Sequence, residues 1–140
     1  MPRHEVFVDT SGLYALVDKN DGHHSTAREI VEKLVRAGRK LILTDYIIAE
    51  TVNLAVARRG THVGLRVLDL IEQSVAIRIE RVDASCFDST KAFFRKHADH
   101  HYSFTDCSSF VVMRDLRLQE ALTTDGHFSE AGYEALLPVG

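Results

Sequence analysis

The sequence predicts an α/β fold, a central parallel β-sheet flanked by α-helices, from three observations. Val6-Phe7-Val8, Leu41-Ile42-Leu43-Thr44 and Ala121-Leu122-Thr123-Thr124 are short apolar runs with the length and β-branched content of buried strands. Between them lie longer stretches whose apolar residues recur at three- and four-residue spacing, as on helices that pack by one face. Strand, helix and strand in that order imply a right-handed parallel crossover.

The frame is that of one domain, residues 1–140. At 140 residues, 45% hydrophobic and 26% charged, the chain can bury roughly two-thirds of its unfolded surface in a single core. Two Pro, eight Gly and the lack of any repeat or biased tract argue against linkers or a solenoid. Cys86 and Cys107 do not have metal-pair spacing and read as reduced thiols of a cytoplasmic protein. Met1-Pro2-Arg3-His4-Glu5 leads straight into the first strand with no leader, and no apolar run approaches the roughly 20 residues of a membrane span. The net charge is −3, from 17 basic and 20 acidic residues. Any nucleic-acid binding must therefore rest on a local basic surface.

Val6-Phe7-Val8 is the first strand, and Leu13, Leu16 and Val17 mark a helix behind it, so Asp9 falls where strand passes to helix. Capping of that helix by Asp9, Thr10 or Ser11 accounts for the stretch taken alone. Lys19 to Ser25 is a polar turn, with Ser25 the N-cap candidate for a helix of about three turns carrying Ala27, Ile30, Val31, Leu34 and Val35. Gly38 closes it. After the strand Leu41–Thr44 a helix begins at Asp45, with Ile48, Val52, Ala55 and Val56 on one side and Gly60 as its stop. Another runs from His62 through Val63, Val67, Leu70 and Ile71. Val75 to Val82 alternates at period two, which marks a strand near the rim of the sheet. Asp83 or Ser85 starts the next helix, with Phe87, Ala92, Phe93 and Ala98 toward the core.

Tyr102-Ser103-Phe104-Thr105-Asp106 opens a further helix, and Ser103 and Asp106 have capping-box spacing. Asp106, Ser109, Phe110 and Met113 share one side of it, so the carboxylate heads a partly buried stripe. Asp125-Gly126 closes the strand Ala121–Thr124 and by itself reads as an ordinary turn. Glu50 lies in the second turn of its helix among apolar neighbours, where a carboxylate needs a partner, either a buried Arg or a metal ion.

Asp9, Glu50, Asp106 and Asp125 thus fall on one edge of a parallel sheet, where open α/β sheets bind ligands. Four clustered carboxylates repel one another unless a divalent cation holds them ionised. An oxygen-only set favours Mg²⁺ or Mn²⁺ over zinc. The chemistry such a cup supports best is metal-assisted attack of water on a phosphodiester. Thr10, Ser11, Thr105 and Thr124 could assist from a second layer.

Four segments, Phe7-Val8-Asp9-Thr10-Ser11-Gly12-Leu13, Thr44 to Asn53 with Ala49-Glu50-Thr51, Ser103-Phe104-Thr105-Asp106-Cys107, and Ala121 to Phe128, resemble in content and order a PIN-domain nuclease. Within that family the chain is similar to the VapC toxins of bacterial and archaeal toxin–antitoxin pairs, over nearly its whole length. The resemblance implies a Mg²⁺- or Mn²⁺-dependent endoribonuclease, usually a homodimer, inhibited by a small VapB-like antitoxin whose tail blocks the acidic cleft. It maps the catalytic, metal-holding acids onto Asp9, Glu50, Asp106 and Asp125, with Thr10 or Ser11 and Thr105 as supporting hydroxyls. Asp125 falls where the family varies.

Arg58, Arg59 and Arg66 form one basic group and Arg95, Lys96, Arg114 and Arg117 another. Such charges either solvate helix faces or hold RNA phosphates, and Arg58, Arg59 and His127 are the substrate-binding candidates. His97, His100 and His101 read as a polar loop, and Phe128 and Tyr133 as core residues. A metal-ion adhesion module shares Asp9-Thr10-Ser11 but continues with a hydroxyl residue where Leu13 stands. A phosphoacceptor receiver wants paired acids after the first strand, and a haloacid-type phosphatase wants Asp where Ser11 stands. A nuclease of RNA processing or DNA cleavage outside any toxin pair is the alternative within the family.

Overall fold

The computed structural model of the chain describes residues 4–139. Met1, Pro2 and Arg3, on which the expectation of no leader rests, lie outside the described residues. The element order is β1 (Val6–Val8), α1 (Thr10–Val17), α2 (His24–Arg36), β2 (Leu41–Thr44), α3 (Asp45–Arg59), α4 (Thr61–Gln73), β3 (Ile77–Glu80), α5 (Ala84–Lys96), α6 (Phe104–Leu116), β4 (Glu120–Leu122), α7 (Gly126–Glu130) and β5 (Glu134–Ala135).

The strands form one parallel sheet in the order β3-β2-β1-β4-β5. β1 is central because Val6, Phe7 and Val8 are apolar on both pleat faces and are fully covered. It aligns with β2 through Val6 opposite Leu41 and with β4 through Phe7 opposite Ala121. From β1 the chain winds outward through β2 to β3, then crosses back to β4. Right-handed crossovers of opposite direction put α1 to α4 on one face and α5 and α6 on the other. The core is built on Phe7, Leu13, Ile42, Leu43, Ile47, Phe110, Met113 and Phe128. Among the described residues no helix is long and apolar enough to cross a membrane.

Gly12 sets how closely α1 approaches the sheet. A Cβ at this position would stand 2.0 Å from the Leu122 carbonyl oxygen, so only a glycine lets the first turn of α1 rest on the end of β4. Gly60, at φ 100°, ends α3 and starts α4 at once.

Several expected boundaries and faces shift. The rim strand is confined to Ile77–Glu80, with Val75 89% exposed ahead of it. Thr123 and Thr124 lie beyond the end of β4. α2 begins at His24, whose Nδ1 lies 2.7 Å from the Ala15 carbonyl oxygen, so Ser25 is inside the helix rather than its cap. On α5 the inward face is Cys86, Thr90 and Phe93, while Phe87 and Ala92 are exposed, and Ala98 lies beyond the end of the helix, also exposed. Phe87 packs instead against Phe104 at the helix surface. On α3 the buried face is Ile47, Thr51 and Ala55, with Val56 exposed. Phe128 is buried as expected, and Tyr133 is half-buried beside Phe110. β5 was not foreseen, since two residues carry no periodicity. Both cysteines are free, Cys107 in the core and Cys86 half-buried.

Candidate active site

β1 and β4 end side by side, and the chain leaves each through an aspartate that caps the helix behind it. Asp9 caps α1, its Oδ1 accepting from the Gly12 N–H at 2.9 Å and the Ser11 hydroxyl at 2.8 Å. Its Oδ2 accepts from the Thr123 hydroxyl at 2.7 Å. Asp125 caps α7 by accepting from the His127 N–H at 2.9 Å. Thr123 couples the two acids, because its Oγ1 also accepts from the Asp125 N–H at 2.9 Å. Ser11 accepts from the Thr124 N–H at 2.9 Å and completes the latch between the two strand ends.

Asp106 enters from the start of α6. The capping box is formed in full: Ser103 Oγ accepts from the Asp106 N–H at 2.9 Å, and Asp106 Oδ2 accepts from the Ser103 N–H at 3.1 Å. The same Oδ2 lies 3.0 Å from His127 Nδ1, which is 3.5 Å from Asp125 Oδ1. Capping and facing the cleft, alternatives for Asp9 and Asp106 in the sequence, are here the same arrangement.

The expectation for Glu50 needs correcting. It is exposed rather than packed among apolar side chains, because its helical neighbours Asn53 and Ala57 are exposed and Tyr46 and Leu54 only half-buried, the buried face of α3 being Ile47, Thr51 and Ala55. Its partner is the Thr10 hydroxyl, which donates to Oε1 at 2.6 Å. Neither a buried arginine nor apolar packing is involved.

Asp9, Thr10, Ser11, Glu50, Thr105, Asp106, Thr124 and Asp125 all line one cleft of about 370 Å³, together with Tyr14, Asp21, His23, Arg58 and Ser109. Asp9 is at its floor, 5% exposed. Burial pushes its carboxyl up to about 6 despite the three donors from Gly12, Thr123 and Ser11, and the charge of Asp125 adds to the push. The His127 imidazole is also raised, mainly by its hydrogen bond to Asp106, against a smaller opposing effect of burial. Asp106, Asp125 and His127 each offer an atom within 4.8 Å of the others, so this trio could hold a metal ion. The oxygen-only ligand set expected from sequence thus acquires an imidazole neighbour.

The donor chemistry fits a hard divalent cation: several carboxylates converge on one cleft, and a buried one is charged only at a cost. Ser109 Oγ, buried in the wall of this cleft, has no hydrogen-bond partner among the described residues. Tyr14, Asp21, His23, Ser109 and Thr123 are the participants that sequence reasoning did not select. Ser109 was visible as a residue on the Asp106 face of its helix, whereas Thr123 was legible only as part of a strand.

Of the basic candidates, Arg58 lines the cleft. Arg59 turns to Asp18, with Nε 3.8 Å from Oδ2. Arg114 pairs with Asp115, and Arg66, Arg95, Lys96 and Arg117 are exposed. His97 and His100 join an aromatic cluster in which His100 stacks on Tyr102 and its Nδ1 meets Glu130 Oε1 at 2.9 Å, while His101 is exposed.

The family model for the PIN domain matches residues 6–133. A curated relative from Mycobacterium tuberculosis, the 23S rRNA-specific endonuclease VapC20, is 33% identical over 134 residues, covering 95% of this chain and 98% of its own length. The crystal structure of M. tuberculosis VapC20, described as a sarcin–ricin loop cleaving toxin, superposes with a TM-score of 0.82 at 30% identity, covering 95% of this chain and 99% of the other. VapBC2 from Rickettsia felis, solved bound to a DNA fragment from its promoter, shares the fold at a TM-score of 0.66 and 10% identity, over 94% of this chain and 96% of that one.

Proposed function

The chain belongs to the PIN-domain family and is a nuclease, and from that premise we propose that it is a divalent-metal-dependent endoribonuclease, the toxin of a VapBC-type pair. One observation carries the reading: Asp9, Glu50, Asp106 and Asp125, distant in sequence, line a single cleft at the carboxyl ends of β1 and β4. The nuclease domain is taken as residues 1–140, acting in the cytoplasm.

Asp9, Asp106, Asp125 and Glu50 are the residues that would hold the ion, Mg²⁺ or Mn²⁺. Bound there, it supplies the charge neutralisation and Lewis acidity that attack of water on a phosphodiester requires. The chain's own contribution is to fix the acids in advance. Gly12, Ser11 and Thr123 hold Asp9, Thr10 holds Glu50, and His127 ties Asp106 to the Asp125 turn. Thr105 and Thr124 add hydroxyls to the cleft wall. Of the substrate-binding candidates Arg58, Arg59 and His127, Arg58 is placed to meet the substrate directly, whereas Arg59 turns to Asp18 outside the cleft.

The substrate class follows the similarity to a 23S rRNA-specific relative: a structured rRNA segment, with the sarcin–ricin loop as the first candidate. The partner is a VapB-like antitoxin that occupies the acidic cleft, and the assembly is a homodimer. Incubating purified protein with a sarcin–ricin hairpin and a pool of unrelated RNAs, with Mg²⁺, with Mn²⁺ and with chelator, tests this. Cleavage should require metal and vanish in Asp106→Asn while that variant keeps the wild-type melting profile in chelator. Cleavage that survives either chelation or Asp106→Asn would overturn the assignment.

A further inference from the structure

Arg58 and Arg59 are adjacent in sequence, yet the structure gives them different surroundings. Arg59 is drawn to Asp18, whereas no carboxylate among the described residues pairs with Arg58. The Arg58 guanidinium lies over the face of Tyr14, 5.1 Å from the ring centroid, and both residues line the acidic cleft. Tyr14 is 3% exposed, and its hydroxyl donates to Asp18 Oδ2 at 2.6 Å. Asp18 is itself 7% exposed, and its Oδ1 accepts from the Asn20 N–H at 2.9 Å. The Tyr14 hydrogen bond, the Asn20 N–H and the charge of Arg59 hold the Asp18 carboxyl below its usual range.

This arrangement has a chemical consequence. A phenol that donates to a carboxylate has a more electron-rich ring, which attracts a guanidinium more strongly. Arg58 also reaches the Tyr14 hydroxyl, but a guanidinium held by a ring and its phenol oxygen keeps most of its five N–H donors for another partner, where one held by an acid would have to break an ion pair to engage an anion. Asp18, by engaging Tyr14 and Arg59, braces the ring and keeps the second arginine out of the cleft.

We propose that Arg58 grips an RNA phosphate beside the scissile bond, and that Tyr14 and Asp18 are its positioning residues. The inference rests on the nuclease reading above and adds to it a division of labour: acids for the reacting phosphate, and one ring-braced arginine for a neighbouring phosphate of the strand.

The test is steady-state cleavage, by the full chain, of the RNA cut most readily in the assay above, followed across a KCl series. Arg58→Gln should lower kcat/KM about tenfold, with the loss carried by KM, as removal of a charge-assisted contact does. The slope of log kcat/KM against log salt should shrink by about 0.7, the value for one phosphate contact on a single strand. Arg58→Lys should restore the salt slope but only part of the KM, because a point charge lacks the fork. Tyr14→Leu should raise KM in the same direction, and should add nothing in an Arg58→Gln background. Should Tyr14→Leu fail to fold, Tyr14→Phe, which keeps the ring and loses the Asp18 bond, should raise KM about threefold while remaining folded at the assay temperature, with a lowered melting temperature.

An unchanged KM and salt slope in Arg58→Gln overturns the proposal while leaving the nuclease reading in place. A Tyr14 effect undiminished by Arg58→Gln, or a silent Tyr14→Phe, overturns the positioning role. A wild-type protein that cuts no RNA with any metal defeats the nuclease reading itself, and is told apart because no variant comparison is needed to see it.

Discussion

Burial and hydrogen bonding act in opposite directions on Asp9, and burial prevails, leaving the carboxyl at about 6 against an ordinary 3.8. The folded chain keeps this proton up to about pH 6, while the unfolded chain releases it near 3.8. Asp9 therefore supports folding fully below pH 3.8, and that contribution is lost as pH rises through about 6. A displacement of this size corresponds to about 3 kcal/mol in metal-free protein at neutral pH. Asp9→Asn should then be more stable than wild type in chelator at pH 7.5, lose that advantage at pH 4, and be inactive. Urea melts of the two proteins across that range, read as a difference so that Asp18 and His127 cancel, check the sign. Equal stability at both pH values would mean that the buried carboxyl carries no strain. The position of Asp9 was legible in the sequence because a carboxylate interrupts an apolar run there. Its partner Thr123 was not, since that hydroxyl is separated by 114 residues and reaches Asp9 only through the pairing of β1 with β4. His127 was named as a candidate from its nearness to Asp125, but its 3.0 Å contact with Asp106 depends on how α6 and α7 pack. Glu50 lines the cleft, but without the apolar surroundings read from the sequence: it is exposed and meets the Thr10 hydroxyl.

At the scale of elements, the strands whose residues are apolar on both faces were readable, and so were the helices closed by recognisable signals. β1 and β2 match the expected spans, and α3 ends at Gly60 as its sequence indicates. α5 was harder, since phenylalanines occur on more than one of its sides and periodicity alone does not say which side meets α6. The close fit of α1 to β4 is another feature invisible to patterning, because a glycine inside a helix reads as a weak helix former rather than as a contact. Gly12→Ala tests that fit. The added methyl would meet the Leu122 carbonyl oxygen at 2.0 Å, a backbone atom that cannot swing aside. Separating α1 from β4 would also strain the Ser11–Thr124 and Asp9–Thr123 bonds. The variant should lose about 2 kcal/mol of stability, in the range of overpacked cores, and lose cleavage more steeply than stability, because the displaced helix carries Thr10 and Ser11. A variant as stable and as active as wild type would mean that the strand end yields freely and that the latch is not a positional constraint.

For the molecule as a whole, strand order decides where charge accumulates. The chain runs from β1 outward through β2 to β3 and then returns to β4 on the other side, so the reversal of direction falls between β1 and β4. Such a switch point opens a crevice at the carboxyl ends of the strands, and Asp9 and Asp125 are the residues that leave those two strands. A chain with a net charge of only −3 thereby concentrates Asp9, Asp21, Glu50, Asp106 and Asp125 in one cleft. The fold class was readable because parallel crossovers follow from strand–helix alternation, and the location of the cleft followed from it; the strand order did not, since periodicity says nothing about which strands are neighbours. The concentration of charge has a thermodynamic consequence. A cation that binds this cleft in the folded chain alone must stabilise the fold by mass action, about 2.7 kcal/mol at a hundredfold excess over Kd. For a domain of this size that is an upward shift of about 10 °C in Tm. Mn²⁺ or Mg²⁺ titrated into chelator-stripped protein should therefore raise Tm in a saturable way, and the rise should be lost in Asp9→Asn and in Asp106→Asn. Arg58→Gln should keep it, because the guanidinium is not among the groups that hold the ion. A rise of equal size in both aspartate variants would place the ion elsewhere on the surface, and no rise in wild type at millimolar metal would separate the acidic cleft from metal binding altogether.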